Sequence, residues 1–96
     1  GYGALAVDNS TLDTATAFLK ALPVWAAVPD FAADPDGEVV LEWRAANDGL
    51  LSVSIAADGT ISFIFRYAGD RARDTLKFDG QAVPKAIILM LERLKN

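Results

Sequence analysis

The chain has no cysteine and no histidine, and a single methionine among its 96 residues. Without cysteine there is no disulfide framework and no thiol chemistry. Without histidine, the usual general base near neutral pH and the commonest metal ligand are both missing. Structural zinc sites draw on those two residue types and are excluded. Long apolar runs are also lacking: none approaches the roughly 18 residues of a membrane helix, so no membrane partner is expected. The opening GYGALAVDNS has neither a basic region nor an apolar stretch. No secretory signal is therefore read there, and a cytoplasmic location is expected. The chain does not start with methionine, which leaves a longer natural chain open. Positive charge is scarce as well. The net charge is −4 and the pI about 4.5, which disfavours broad attraction to nucleic acid.

Catalytic patterns are equally sparse. There is no GxSxG, no P-loop and no GxGxxG, since Gly1 and Gly3 are not followed by the third glycine. Glu38 and Glu42 lie four apart on a strand-like run, about 13 Å by strand rise. That exceeds the about 5–10 Å of glycosidase carboxylate pairs. Asp30, Asp34, Asp36 and Glu38 form an acidic cluster, and oxygen ligands suit calcium or magnesium. An EF-hand register on Gly37 would require a glutamate at position 43 and a ligand at position 32, where Trp43 and Ala32 stand. Asp-Pro-Asp-Gly reads instead as a turn. No catalytic residue, metal site or cofactor is expected, and the chain reads as a non-enzyme.

What is present is a fold. Half of the residues are apolar (52%), enough for the core of one domain. Residues 1–9 carry no period and read as a loose lead-in to a single domain over 10–96. Ser10 suits an N-cap, with Asp13 three residues on. Leu12, Ala15, Phe18, Leu19 and Leu22 keep helical spacing until Pro23, which predicts a helix over about 11–22. Residues 23–37 form a linker rich in proline. Trp25, Val28 and Phe31 are expected to pin it to the sheet or to a helix flank. At the other end, Pro84 suits a first helical turn. Val83, Ala86, Ile87, Met90, Leu91 and Leu94 make a wide apolar stripe that Ile88 and Leu89 extend, so this helix should touch more than one layer.

Between the helices, Asp34–Tyr67 holds three alternating runs separated by two Asp-Gly turns. Val39, Leu41, Trp43 and Ala45 alternate with Glu38, Val40, Glu42 and Arg44. Leu51, Val53 and Ile55 alternate with Leu50, Ser52 and Ser54. Ile61, Phe63, Phe65 and Tyr67 alternate with Thr60, Ser62, Ile64 and Arg66. Each run reads as a strand with one buried face. A two-residue Asp58-Gly59 turn would set Ser62 opposite Ile55 and mix core with solvent. A three-residue loop, Ala57-Asp58-Gly59, pairs Ile55 with Ile61 and puts Gly59 at the left-handed position of a bulge. The same reasoning applied to Asn47-Asp48-Gly49 pairs Trp43 with Val53 and Leu41 with Ile55. A fourth strand is predicted over about 72–78 after a Gly69-Asp70 turn, with Leu76 and Phe78 on the core face and Asp74 awkwardly inward. The expected architecture is α+β: a four-stranded antiparallel meander with an N-terminal and a C-terminal helix on one face.

Asp34–Trp43 (DPDGEVVLEW), Leu51–Ile55 (LSVSI), Asp58–Phe63 (DGTISF), Thr75–Phe78, Pro84 and Arg93-Leu94 together resemble a small bacterial domain family of unknown function. The resemblance spans roughly residues 20–95. It implies one coherent domain and brings no activity or site residues.

The uncovered face of the meander is the place to look for function. Its middle is small and polar (Ser52, Ser54, Ser62), ringed by Val40, Leu50 and Ile64. Such a face is either a plain wet sheet surface or a surface for a homodimer or another protein partner. Arg44, Arg66 and Arg73 are expected at one end, with Arg71 in the adjoining turn. They form a candidate anion site that Asp48, Asp70 and Asp74 are placed to neutralise by local ion pairing. The leading expectation is a protein-interaction or self-associating module. The alternative is a small-ligand or anion-binding domain using those arginines.

Overall fold

Alternation of apolar and polar residues builds the central strands, and the helices at either end of the chain close one side of them. Residues 7–95 are described by the computed structural model. In order they form α1 (Asn9–Lys20), β1 (Asp30–Ala33), β2 (Val39–Ala45), β3 (Gly49–Ile55), β4 (Thr60–Tyr67), β5 (Asp70–Lys77) and α2 (Lys85–Leu94). The sheet has five antiparallel strands in sequence order, β1-β2-β3-β4-β5. The class is α+β as expected, with one strand more than the pattern predicted.

The first helix starts earlier than expected because Asp8, not Ser10, is its cap. The Asp8 carboxylate accepts from the Thr11 amide at 3.0 Å, the Thr11 hydroxyl at 3.0 Å and the Ser10 hydroxyl at 2.9 Å. These bonds, the amide first, hold its pKa below the usual carboxylate value. Residues 8 and 9 therefore belong to the helix rather than to a lead-in, and Val7 already packs against the core. Residues 1–6 of the expected lead-in lie outside the described residues. α2 follows Pro84, whose carbonyl accepts from the Ile87 and Ile88 amides at 3.0 and 3.3 Å. It buries Ile87, Met90, Leu91 and Leu94. Ala86 is exposed and Leu89 is half exposed, so the buried stripe is narrower than the sequence suggested.

Those side chains, with Ala15 and Phe18 of α1 and the inward residues of the sheet, make one core. Phe18 meets Phe78 edge-to-face, ring centroids 5.4 Å apart. At one end of the sheet, Arg93 of α2 lies over the rings of Phe65 and Tyr67, at 5.5 and 5.4 Å, and pairs with Asp70 at 3.0 Å.

The β3–β4 loop agrees with the register test. Ile55 pairs with Ile61 and Val53 with Phe63, and Gly59 takes φ +89°. A Cβ at Gly59 would stand 2.5 Å from the Phe78 carbonyl oxygen, so glycine is needed for space as well as for conformation. The β2–β3 register differs from the expected one by two residues. Trp43 pairs with Leu51, Leu41 with Val53 and Val39 with Ile55. The left-handed positions fall to Asn47 and Asp48 (φ 59° and 66°), which tolerate them. Gly49 becomes a strand residue opposite Ala45. The expected register would have set Val39 against Ala57 in the turn, whereas the observed one seats it opposite the buried strand residue Ile55. Faces are unchanged by a two-residue shift; only row partners change.

The fifth strand comes from the linker. Asp30–Ala33 pairs along β2 as an edge strand, Phe31 with Leu41 and Ala33 with Val39. The expected pins do not hold this segment. Val24 and Val28 are fully solvent-facing and Phe31 is 61% exposed. The segment is held instead by the Trp43 indole, whose Nε1 donates to the Ala27 carbonyl at 2.8 Å, and by buried Pro29. Trp25 is partly covered by the Lys95 ammonium, 4.7 Å from its ring centre. On the far edge, β5 begins at Asp70 after a turn through Ala68 and Gly69, both left-handed. Asp74 does sit on the inward side, opposite Phe63. No bulge removes it, because the strand edge there is left open to water.

Candidate interaction face

The side of the sheet away from the helices is covered by no element among the described residues. Its rows, read from β1 to β5, follow from the pairings. Ala32, Val40, Ser54, Ser62 and Thr75 make one row; Asp30, Glu42, Ser52, Ile64 and Arg73 make the next; Arg44, Leu50, Arg66 and Arg71 make the third. All six candidate interaction residues, Val40, Leu50, Ser52, Ser54, Ser62 and Ile64, therefore share this face. Their neighbours differ from expectation by the two-residue shift of β2: Ser54 faces Val40, and Ser52 faces Glu42. Ile64 is 52% exposed near the middle. Leu50 is only 8% exposed, since it lies between Arg44 and Arg66, whose apolar stems cover such a residue. It belongs to the face's floor rather than to its contact surface.

The four arginines do gather at one end, with one change. Arg71 is a strand residue directly opposite Arg66, not a turn residue, and Arg73 stands opposite Ile64. Local ion pairing is less complete than expected. Arg44 pairs with Glu42 at 3.1 Å. Arg66 donates from Nε to the Asp48 carbonyl at 3.0 Å and lies 3.6 Å from its carboxylate. Asp70 pairs with Arg93 instead, and Asp74 is on the helix side of the sheet. Among the described residues, Arg71 and Arg73 have no ion-pair partner within 4.0 Å. Arg66, Arg71, Arg73 and Ile64 border a shallow depression of about 420 Å3. Like charges directly opposite each other on a sheet are unfavourable unless an anion shares them.

Across the sheet the charge reverses. Asp30 and Glu42 are paired on β1 and β2, and the Asp34 amide donates to the Glu38 carbonyl at 3.0 Å just beyond them. The Glu38 carboxyl is pushed above its ordinary pKa, first by partial burial and then by Asp34, Asp36 and Asp58. At that end Lys77 faces Asp58 at 3.8 Å. The outward face thus has carboxylates on β1–β2, interrupted by Arg44 at one end, a serine centre on β3, and a cationic side on β4–β5.

Sequence reasoning did not find the second exposed feature, a groove of about 310 Å3 between α1 and β1. Leu12, Ala15, Leu19, Phe31 and Val39 contribute to it. The apolar residues near β1 were visible, but nothing in their spacing told exposure from burial. No helix among the described residues is long and apolar enough to cross a membrane. Comparison with known proteins gives no match: no family model, curated protein or solved structure is similar to this chain.

Proposed function

We propose that the chain is a non-enzymatic protein-contact module that self-associates through the outward face of its sheet. One observation carries this reading: carboxylates (Asp30, Asp34) border the face at the β1 edge and cations (Arg73, Lys77) border it on β5, in matching rows. A two-fold axis running along β3 would lay β1–β2 of one copy over β4–β5 of the other. Asp30 would then oppose Arg73 and Asp34 would oppose Lys77, with Arg44 over Arg66, while Ser52 and Ser54 would meet their own counterparts. Aligned sheets pack about 10 Å apart, and serines at the centre permit that approach. Strand spacing and rise give a face of about 500 Å2 per copy. Twice that is near the lower bound of about 1,000 Å2 for a specific interface, so the dimer would be weak and reversible.

Sedimentation velocity tests the proposal. A dimer that dissociates with rising salt is expected, together with its loss in Ser54→Arg at unchanged thermal stability. A monomer at about 100 µM, a contact of only about −5.5 kcal/mol, would overturn it.

A second reading is favoured by Arg66 and Arg71 standing opposite each other with Arg73 beside them. The depression they border suits a small anion such as phosphate. A rise in melting temperature with inorganic pyrophosphate, absent in a triple Arg66→Ala, Arg71→Ala, Arg73→Ala variant, is the expected sign. An equal rise in that variant would count against the reading.

A further inference from the structure

The two edges of the sheet are unlike. β5 carries Asp70, Arg71, Arg73, Asp74 and Lys77 along its length, the usual guard against strand addition. β1 reads Asp-Phe-Ala-Ala and has an apolar groove beside it. Antiparallel pairs alternate between residues that exchange hydrogen bonds with the neighbour and residues that do not. The Asp34 amide bonds to the Glu38 carbonyl, so Ala32 and Asp30 face β2 in the same way. Phe31 and Ala33 consequently turn their N–H and C=O groups away from the sheet. Among the described residues, no strand takes up that edge.

We infer that the free edge of β1 is a docking site for one extended segment of a partner polypeptide in which apolar and basic side chains alternate. The outward N–H and C=O groups of Phe31 and Ala33 would bond its backbone as a sixth strand. Its apolar side chains would enter the groove among Leu12, Ala15, Leu19 and Phe31. Its alternate side chains would emerge on the other side of the sheet beside Asp30 and Asp34, with Glu38 and Glu42 one strand further in. Four carboxylates along that border select lysine or arginine.

A second copy of this chain fits the edge poorly. In the two-fold pairing of β1 with itself that uses both outward residues, Phe31 lies opposite Ala33, and Asp30 lies opposite Asp34, like charge against like; the registers centred on Phe31 or Ala33 alone still bring two acidic borders together and supply no basic side chain. Docking of β5 from another copy would bring the inward Asp74 toward the apolar groove.

The test uses a capped peptide, Lys-Val-Lys-Leu-Lys-Val-Lys, and an analogue with Glu for Lys. Saturable binding of the lysine peptide is expected by fluorescence anisotropy, with the glutamate analogue weaker by about tenfold or more. Ala33→Pro removes an outward N–H without touching the ladder to β2, and should weaken binding by about tenfold. Phe31→Ser, a change at an exposed side chain, should weaken it through the groove. Circular dichroism checks that both variants are folded. By amide exchange, Phe31 and Ala33 should gain protection on peptide addition while Asp30 and Ala32 stay as they were. Undiminished binding to Ala33→Pro overturns the inference. So does protection of Phe31 and Ala33 in the free chain, because the edge is then already taken, and so does absence of binding. Ser54→Arg separates this inference from the face-to-face dimer: it should abolish self-association and leave peptide binding intact.

Discussion

Ile61 and Ile64 stand three residues apart on β4 and have opposite surroundings. Ile61 is fully buried between Ile55 and Leu76, under the helices. Ile64 is half exposed between Ser52 and Arg73, under nothing. The residue type is the same, so strand parity and the helices on one side make the difference. On the inner face, packing sets the energy; on the outer face, charge and small side chains set what can approach.

Substitutions can break this contrast, and the largest effect is expected where the core is emptied. Ile61→Ala should lose about 2–5 kcal/mol of stability in urea unfolding, the range for deleting a buried isoleucine side chain. Gly59→Ala comes next. Its left-handed backbone alone costs about 1–2 kcal/mol, and its new Cβ must displace the Phe78 carbonyl. Differential scanning calorimetry should show a clear fall in melting temperature. Glu38→Gln moves the other way and is smaller. The folded-state pKa of Glu38 is raised, so the folded chain holds that proton more tightly than the unfolded one. The stability it adds is present below the unfolded pKa and is lost as pH rises through the folded pKa. At neutral pH, Glu38→Gln should therefore be more stable than the parent by less than about 1 kcal/mol. The gap should close toward pH 4 in urea titrations. Ile64→Ser should change stability least, within about 0.5 kcal/mol, yet it should still perturb sedimentation if the outer face is the contact surface. A loss at Ile64 comparable to that at Ile61 would show that the two faces are not distinct.

Strand parity could be read from the sequence because it repeats. Val39 through Ala45, Leu51 through Ile55 and Ile61 through Tyr67 alternate long enough to assign every side chain to a face, and Gly59 fixes its loop. The β2–β3 register was not readable to the same degree. Both solutions keep the faces pure, and the choice depends on seating Val39 against Ile55 in the core rather than against Ala57 in the turn, and on letting Asn47 and Asp48 turn left-handed. β1 was hidden for another reason. Four residues between Pro29 and Pro35 show no period of their own and become a strand because β2 offers a free edge. The N-cap was ambiguous because Asp8 and Ser10 both suit it, and the side chain that reaches the Thr11 amide decides. On the outer face, the arginines could be placed at one end, but the lack of an ion-pair partner at Arg71 and Arg73 among the described residues could not. Asp70 and Asp74 are near them in sequence and are drawn off, one to Arg93 and the other to the helix side.

The order β1-β2-β3-β4-β5 has a consequence for how the molecule forms. Every strand pairs with its neighbour in sequence, so each ladder closes only a short loop. The entropic cost of closure grows with loop length, and folding slows as contacts become less local. The sheet can therefore assemble hairpin by hairpin, and only the docking of α1 and α2 brings distant parts of the chain together. A rate-limiting step is thus expected where Phe18 meets Phe78, the contact that joins the first helix to the end of the last strand.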